Sequence, residues 1–136
     1  MMQQPKVLFV CVENAGRSQI AEGFFREYAK ELEVVSAGTE PKSKLNPIVT
    51  DVMAEVGIDI TNQKPKPLSN KMIQDSFRTV NMGCIDRESC PSLFVKDVLN
   101  WNITDPKGRT IEEIRKIRDQ IKLEVMALIK KLEDDI

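Results

Sequence analysis

Residues 6–38 read KVLFVCVENAGRSQIAEGFFREYAKELEVVSAG, and a change of period inside this stretch decides the fold. After Lys6 the run to Val12 is apolar, β-branched and aromatic without alternation, which reads as a strand buried on both faces, as in a parallel sheet. From Arg17 the spacing becomes helical. Ile20, Phe24, Phe25, Tyr28 and Leu32 fall on one side, with Glu22, Arg26, Glu27 and Lys30 around the other. Val34 and Val35 then lead into Ser36-Ala37-Gly38, a second short strand with a glycine stop. Strand, tight loop, helix, strand is a βαβ unit, whose crossover is right-handed.

The remainder extends that unit. Asn46 before Pro47 reads as a helix N-cap with proline at the first helical position. Ile48, Val49, Val52, Met53 and Val56 supply the buried stripe of that helix, and Gly57 closes it. Lys64-Pro65-Lys66-Pro67 suits neither a helix nor a central strand and reads as a surface loop. Ser69 caps a short helix through Ile73, Thr79–Met82 reads as a third strand and Val98–Ile103 as a fourth. Thr110 and Glu113 form a capping box ahead of one long apolar stripe: Ile111, Ile114, Ile117, Ile121, Val125, Leu128 and Leu132. The expectation is an α/β protein: a single three-layer α/β/α sandwich on a four-stranded parallel sheet, residues 1–136 forming one catalytic domain.

Composition narrows the chemistry. With 136 residues, 41% apolar and 30% charged, the chain has the balance of a soluble globular protein. Twenty Lys+Arg against 21 Asp+Glu give no global pull toward nucleic acid or an acidic membrane, so neither is expected as a partner. The start of the chain lacks a signal-peptide layout and the longest clean apolar run, Val7 to Val12, is too short to span a membrane, so a cytoplasmic location is expected. There are no histidines, which excludes Ser-His, Cys-His and His-metal chemistry within this chain. Three cysteines cannot complete a four-thiolate zinc site, and their odd number is no disulfide framework. Neither a metal nor a cofactor is expected.

The chemistry concentrates between the first strand and first helix, in Cys11-Val12-Glu13-Asn14-Ala15-Gly16-Arg17-Ser18. Open α/β sheets bind ligands at the carboxyl ends of their strands. A short loop entering a helix turns successive backbone N–H groups inward, here those of Val12, Glu13, Asn14, Ala15, Gly16 and Arg17, as a nest for an oxyanion. Arg17 adds a planar fork for two oxygens of a tetrahedral anion. Cys11 at the base of that positive field is favoured as a nucleophilic thiolate, and Ser18 can donate to its sulfur. Asn14 tolerates a left-handed backbone, and Gly16 adds conformational freedom beside it.

The segment Val10 to Gly23 resembles the phosphate-binding loop of the low-molecular-weight tyrosine phosphatase fold, and most of all the thioredoxin-coupled arsenate reductases built on it. The likeness continues through Ser36-Ala37-Gly38, Val56-Gly57-Ile58-Asp59-Ile60, Trp101 and Asp105-Pro106 into the last helix. Arg17-Ser18-Gln19 followed by Ala21-Glu22-Gly23 is similar to the reductases, whereas the phosphatases typically carry proline after the Arg-Ser pair.

By themselves Cys84 and Cys90, six apart, suit either a thiol relay or two unrelated small residues in a polar loop, with Arg87 between them able to favour thiolate at either. Asp105-Pro106 suits a projecting carboxylate or a plain turn equally. The resemblance implies that Cys84 and Cys90 are relay thiols and that Asp105 is a general acid. It implies arsenate or another tetrahedral oxyanion as substrate and thioredoxin or a similar thiol as reductant. A monomer is expected. The alternatives are a phosphomonoesterase working through a phosphocysteine at Cys11, and a thiol redox sensor or oxyanion-binding protein without turnover.

Three positions depart from the reductase pattern. Gly16 stands where that loop often has another cysteine, which a three-cysteine relay does not need. Glu13 stands where many relatives have glycine, and a carboxylate there must face outward if the loop is to hold an anion. Some relatives bind potassium through residues matching Asn14, Glu22 and Ser36. Here Lys64 and Lys66 lie in the region completing that site, so an ammonium can replace the metal, or Asn14 and Glu22 simply order the loop.

Overall fold

The computed structural model describes residues 5–83 and 98–135. Its elements in chain order are β1 (Lys6–Cys11), α1 (Arg17–Tyr28), β2 (Glu33–Gly38), α2 (Pro47–Ala54), α3 (Asn70–Asp75), β3 (Arg78–Asn81), β4 (Leu99–Asn100) and α4 (Ile111–Asp135). The four strands form one parallel sheet in the order β2-β1-β3-β4. β1 is paired on both edges, Val7 with Val34 of β2 and with Arg78 of β3, which is why its sequence is apolar throughout.

Side chains of β1 alternate between two cores. Val7, Phe9 and Cys11 enter the larger one with Ile20, Phe24 and Phe25 of α1, Val49, Val52 and Met53 of α2, and the Ile114–Leu132 stripe of α4. Phe9 sits edge-on to Phe25 at 5.9 Å and tilted to Trp101 at 5.7 Å. Burial of each such ring contributes about 1.5–3 kcal/mol. Leu8 and Val10 face the opposite way, onto Ala37 and onto Ile73 of α3. The sandwich has its three layers, but among the described residues the helical layer on the second face is the short α3 alone.

Helix ends follow the expected chemistry. Asn46 accepts from the Ile48 N–H, Ser69 accepts from the Met72 N–H, and Thr110 and Glu113 exchange reciprocal side-chain-to-backbone bonds. Gly57 takes φ +81° beyond α2, a backbone only glycine adopts cheaply.

Several boundaries differ from the sequence reading. Leu32 packs on the core from outside α1, because the helix ends at Tyr28. Ile48, Val56 and Ile111 were expected in buried stripes and are more than a third exposed, since each lies at or beyond a helix end that overshoots the core. The fourth strand reduces to Leu99–Asn100. Its partner β3 ends at Asn81, so beyond the Trp101 N–H bond to the Asn81 carbonyl no ladder remains for Asn102 or Ile103.

The strand order also places the site. The connection from β1 to β2 runs over one face through α1, and the path into β3 runs over the other through α3. The order therefore reverses direction at β1, and the carboxyl edge at such a reversal is the usual ligand position in an open parallel sheet.

Candidate active site

At that edge the loop after β1 is fixed by its carbonyls. Those of Cys11, Val12, Glu13, Ala15 and Gly16 accept bonds from the N–H groups of Thr39, Glu40, Lys42, Asn46 and Ile20, and that of Asn14 accepts from Gln19 Nε2. In a trans peptide the N–H points opposite its carbonyl. Turning the carbonyls of residues 11–16 outward thus turns the N–H groups of Val12, Glu13, Asn14, Ala15, Gly16 and Arg17 toward the inside of the loop. A ring of converging N–H groups is an anion site. Asn14, at φ +50°, supplies the left-handed turn that the ring needs.

Cys11 lies at the bottom of the ring, 2% exposed, with its Sγ 2.9 Å from Ser18 Oγ. The proton order around it follows from its neighbours. The Lys66 N–H, a donor only, fixes Asn14 Oδ1 as its acceptor at 2.8 Å. The Asn14 amide nitrogen must then face Ser18 Oγ, to which it donates at 2.7 Å. With its oxygen accepting, the Ser18 hydroxyl has its proton free for the sulfur.

Arg17, at the first position of α1, has its side chain 11% exposed. Its Nη1 donates to the carbonyls of Met82 at 3.1 Å and Ile103 at 3.3 Å, and its Nη2 stands 3.7 Å from Asp105 Oδ2. Asp105 is half exposed at the mouth, where its Oδ1 accepts from the Lys107 N–H at 3.0 Å. Glu13 turns to the rim, where its Oε2 lies 3.6 Å from Lys42 Nζ and 3.4 Å from Lys107 Nζ. Glu13, Lys42, Asp105 and Lys107 border a cleft of about 290 Å³ on the outer side of the loop, which neither Cys11 nor Arg17 lines.

Gly16 also supplies space, since a Cβ there would lie 2.8 Å from Pro106 Cγ. Gly38, read as a strand stop, is also the seat of the loop, since a Cβ on it would lie 2.6 Å from the Val12 carbonyl oxygen.

Behind the loop, Glu22 is almost fully buried. Its Oε1 accepts from Ser36 Oγ at 2.6 Å, with Lys66 Nζ at 3.8 Å, and its Oε2 pairs with Arg26 at 2.7 Å. Lys66 Nζ also donates to the Lys64 carbonyl at 2.8 Å, so Lys64 contributes its backbone and not its ammonium. Two cations, Arg26 and Lys66, already balance this one buried carboxylate, which does not fit a further bound potassium ion.

The site thus joins Cys11, Ser18, Arg17 and Asp105 with the ring of N–H groups. Cys84, Cys90 and Arg87 lie outside the described residues. Sequence reading missed the outer collar of the ring, Thr39 to Asn46, because backbone donors carry no side-chain signature. It also missed Gln19, fully buried, whose amide holds both the Asn14 and Lys64 carbonyls. A glutamine among the apolar residues of a helix was the available signal.

A cysteine at the base of an N–H ring at a parallel strand's carboxyl end, with an arginine fork and a projecting aspartate, is the layout of a cysteine-dependent phosphatase-type loop. The chain belongs to the low molecular weight phosphotyrosine protein phosphatase family, which it matches over residues 6–136. Within that family it is 35% identical to a glutaredoxin arsenate reductase of Synechocystis over 93% of this chain and 98% of that protein. A solved thioredoxin-dependent arsenate reductase of Corynebacterium glutamicum superposes with a TM-score of 0.83 at 36% identity, covering 98% of this chain and 64% of that one. A solved arsenate reductase in a phosphate-binding state gives 0.83 at 35% identity, over 94% of this chain and 98% of that one.

Proposed function

We propose that this chain, acting over all 136 residues as one monomeric catalytic domain, reduces arsenate to arsenite with electrons from thioredoxin or a similar thiol reductant. The observation that carries the reading is the outward fixing of the carbonyls of residues 11–16 above the sulfur of Cys11. Arsenate sits in the ring with its charge on the N–H groups of Val12–Arg17 and the Arg17 fork. Cys11 attacks arsenic, Asp105 protonates the departing oxygen, and water leaves an arsenyl thioester on Cys11. Cys84 then attacks the Cys11 sulfur, the S–As electron pair returns to arsenic, and arsenite departs from a Cys11–Cys84 disulfide. Cys90 displaces Cys11 to give a Cys84–Cys90 disulfide, which the external thiol reduces. Two thiols are oxidised for each arsenic(V) reduced, so the electrons balance. The ammonium of Lys66 supplies the positive charge behind the loop, and no metal takes part.

The described residues also favour a second reading, because Cys11, Arg17 and Asp105 are all that a phosphomonoesterase requires. One experiment separates the two. Arsenate-dependent NADPH consumption is followed with thioredoxin and its reductase, in wild type, Cys11→Ser, Cys84→Ser and Cys90→Ser. Loss of turnover in all three variants is expected. Hydrolysis of p-nitrophenyl phosphate needing Cys11 alone, without arsenate turnover, makes the chain a phosphatase. Inactivity toward both, with partner binding that changes on oxidation, would leave the redox-sensor reading.

A further inference from the structure

We propose that Gly83, which no element of the sequence motif includes, is the positioning residue for the guanidinium of Arg17. The planar group lies directly against the Gly83 Cα. A Cβ at this position would stand 2.5 Å from Arg17 Cζ and 2.7 Å from Nη2, with Nη1 closer still. Backbone conformation does not demand the glycine, since among the described glycines only Gly57 and Gly108 have positive φ. Gly83 is required for room.

The consequence of filling that room depends on which partner gives way. Arg17 is the far end of a flexible side chain, not backbone, so an alanine at 83 displaces the guanidinium and leaves the sheet intact. The displaced group loses the Met82 and Ile103 carbonyls, which tie Nη1 to the segments just beyond the third and fourth strands. With both bonds intact the guanidinium is held in place with its Nη2 near Asp105. Without them its fork must be ordered anew each time an anion binds, a cost that falls on substrate affinity.

This inference rests on the reading of Arg17 as the anion-holding group, and a double-mutant cycle keeps the two apart. The full chain is prepared as wild type, Gly83→Ala, Arg17→Ala and the double variant. For each, kcat and KM for arsenate, the inhibition constant of inorganic phosphate and the melting temperature are measured. Gly83→Ala is expected to raise KM and the phosphate constant by roughly tenfold, the scale of lost bonds to a charged group, with the melting temperature nearly unchanged. In the Arg17→Ala background the same change should cost nothing. An equal penalty in both backgrounds, or none in the wild type, overturns the inference and leaves the reading of Arg17 intact. An Arg17→Ala variant with normal KM and phosphate binding removes that reading, and Gly83's role with it. Should Gly83→Ala fail to fold, folding of the double variant supports the clash with Arg17, and failure of both overturns it.

Discussion

The floor and the rim of the site are held by different physics. On the floor, Cys11, Asn14, Ser18 and Gln19 are at most 2% exposed, and their side-chain bonds run from 2.7 to 3.1 Å. On the rim, Glu13, Lys42, Asp105 and Lys107 are partly to largely exposed, and their ion pairs run from 3.4 to 3.7 Å. Buried polar groups must be satisfied, so the floor is part of the protein's stability. Exposed pairs are screened and contribute little. On the proposed function the lesson is a division of labour: the floor would fix where the anion and the sulfur lie, and the rim would alter proton delivery without loosening the fold.

Substitutions can test this division. Short of removing the nucleophile itself, the largest effect on turnover should come from the rim: Asp105→Asn lowers kcat by about a hundredfold or more with KM and melting temperature hardly moved. A fall in melting temperature matching the fall in rate would show that the rim also holds the structure. Asn14→Ala attacks the floor. It removes the left-handed residue and bonds to Ser18 and Lys66, so stability should drop by about 2–3 kcal/mol together with activity, read by denaturant titration. Retained stability with lost activity would erase the contrast.

Glu13→Gln, which discharges the hub of the rim, should change KM for arsenate by no more than about threefold, and that change should vanish in high salt. A larger, salt-insensitive effect would place Glu13 with the floor. The smallest effect lies away from the site. The carboxyl of Glu113 is held below its ordinary range, first by the Thr110 backbone N–H and then by the Thr110 hydroxyl. A lowered folded-state value means stability present above the unfolded value and lost as pH falls. The melting difference between wild type and Glu113→Gln should therefore shrink as pH drops through about 4.

Much of the site was legible. Cys11, Arg17 and Ser18 stand at fixed spacing in a loop whose strand and helix have clear periods, and Asn14 is one of the few residue types at ease with positive φ. What stayed hidden depended on distant backbone. The carbonyls of Met82 and Ile103 that anchor Arg17, and the N–H collar at Thr39–Asn46, are chemically the same in any sequence. The glycines carried more than their local reading. Gly38 ends the second strand as expected, and both it and Gly16 are also small because a carbonyl or a ring approaches from elsewhere in the chain. The short fourth strand was overestimated because an apolar run shows what is buried, not where its partner stops.

The pairing of β1 on both edges has a consequence for how the molecule is made. The strand carrying Cys11 can join β2 early, through a local helix, but it waits for residue 78 to return to residue 7 before its second edge closes. Non-local pairing of this kind is the slow step of folding in parallel sheets. The anion loop is finished only after it, because Arg17 is anchored by the carbonyl of Met82, just beyond β3. Phosphate added during refolding therefore finds no complete site and should leave the folding rate alone. Added to the native protein it should slow unfolding, so that the ligand acts as a kinetic lock and not as a template.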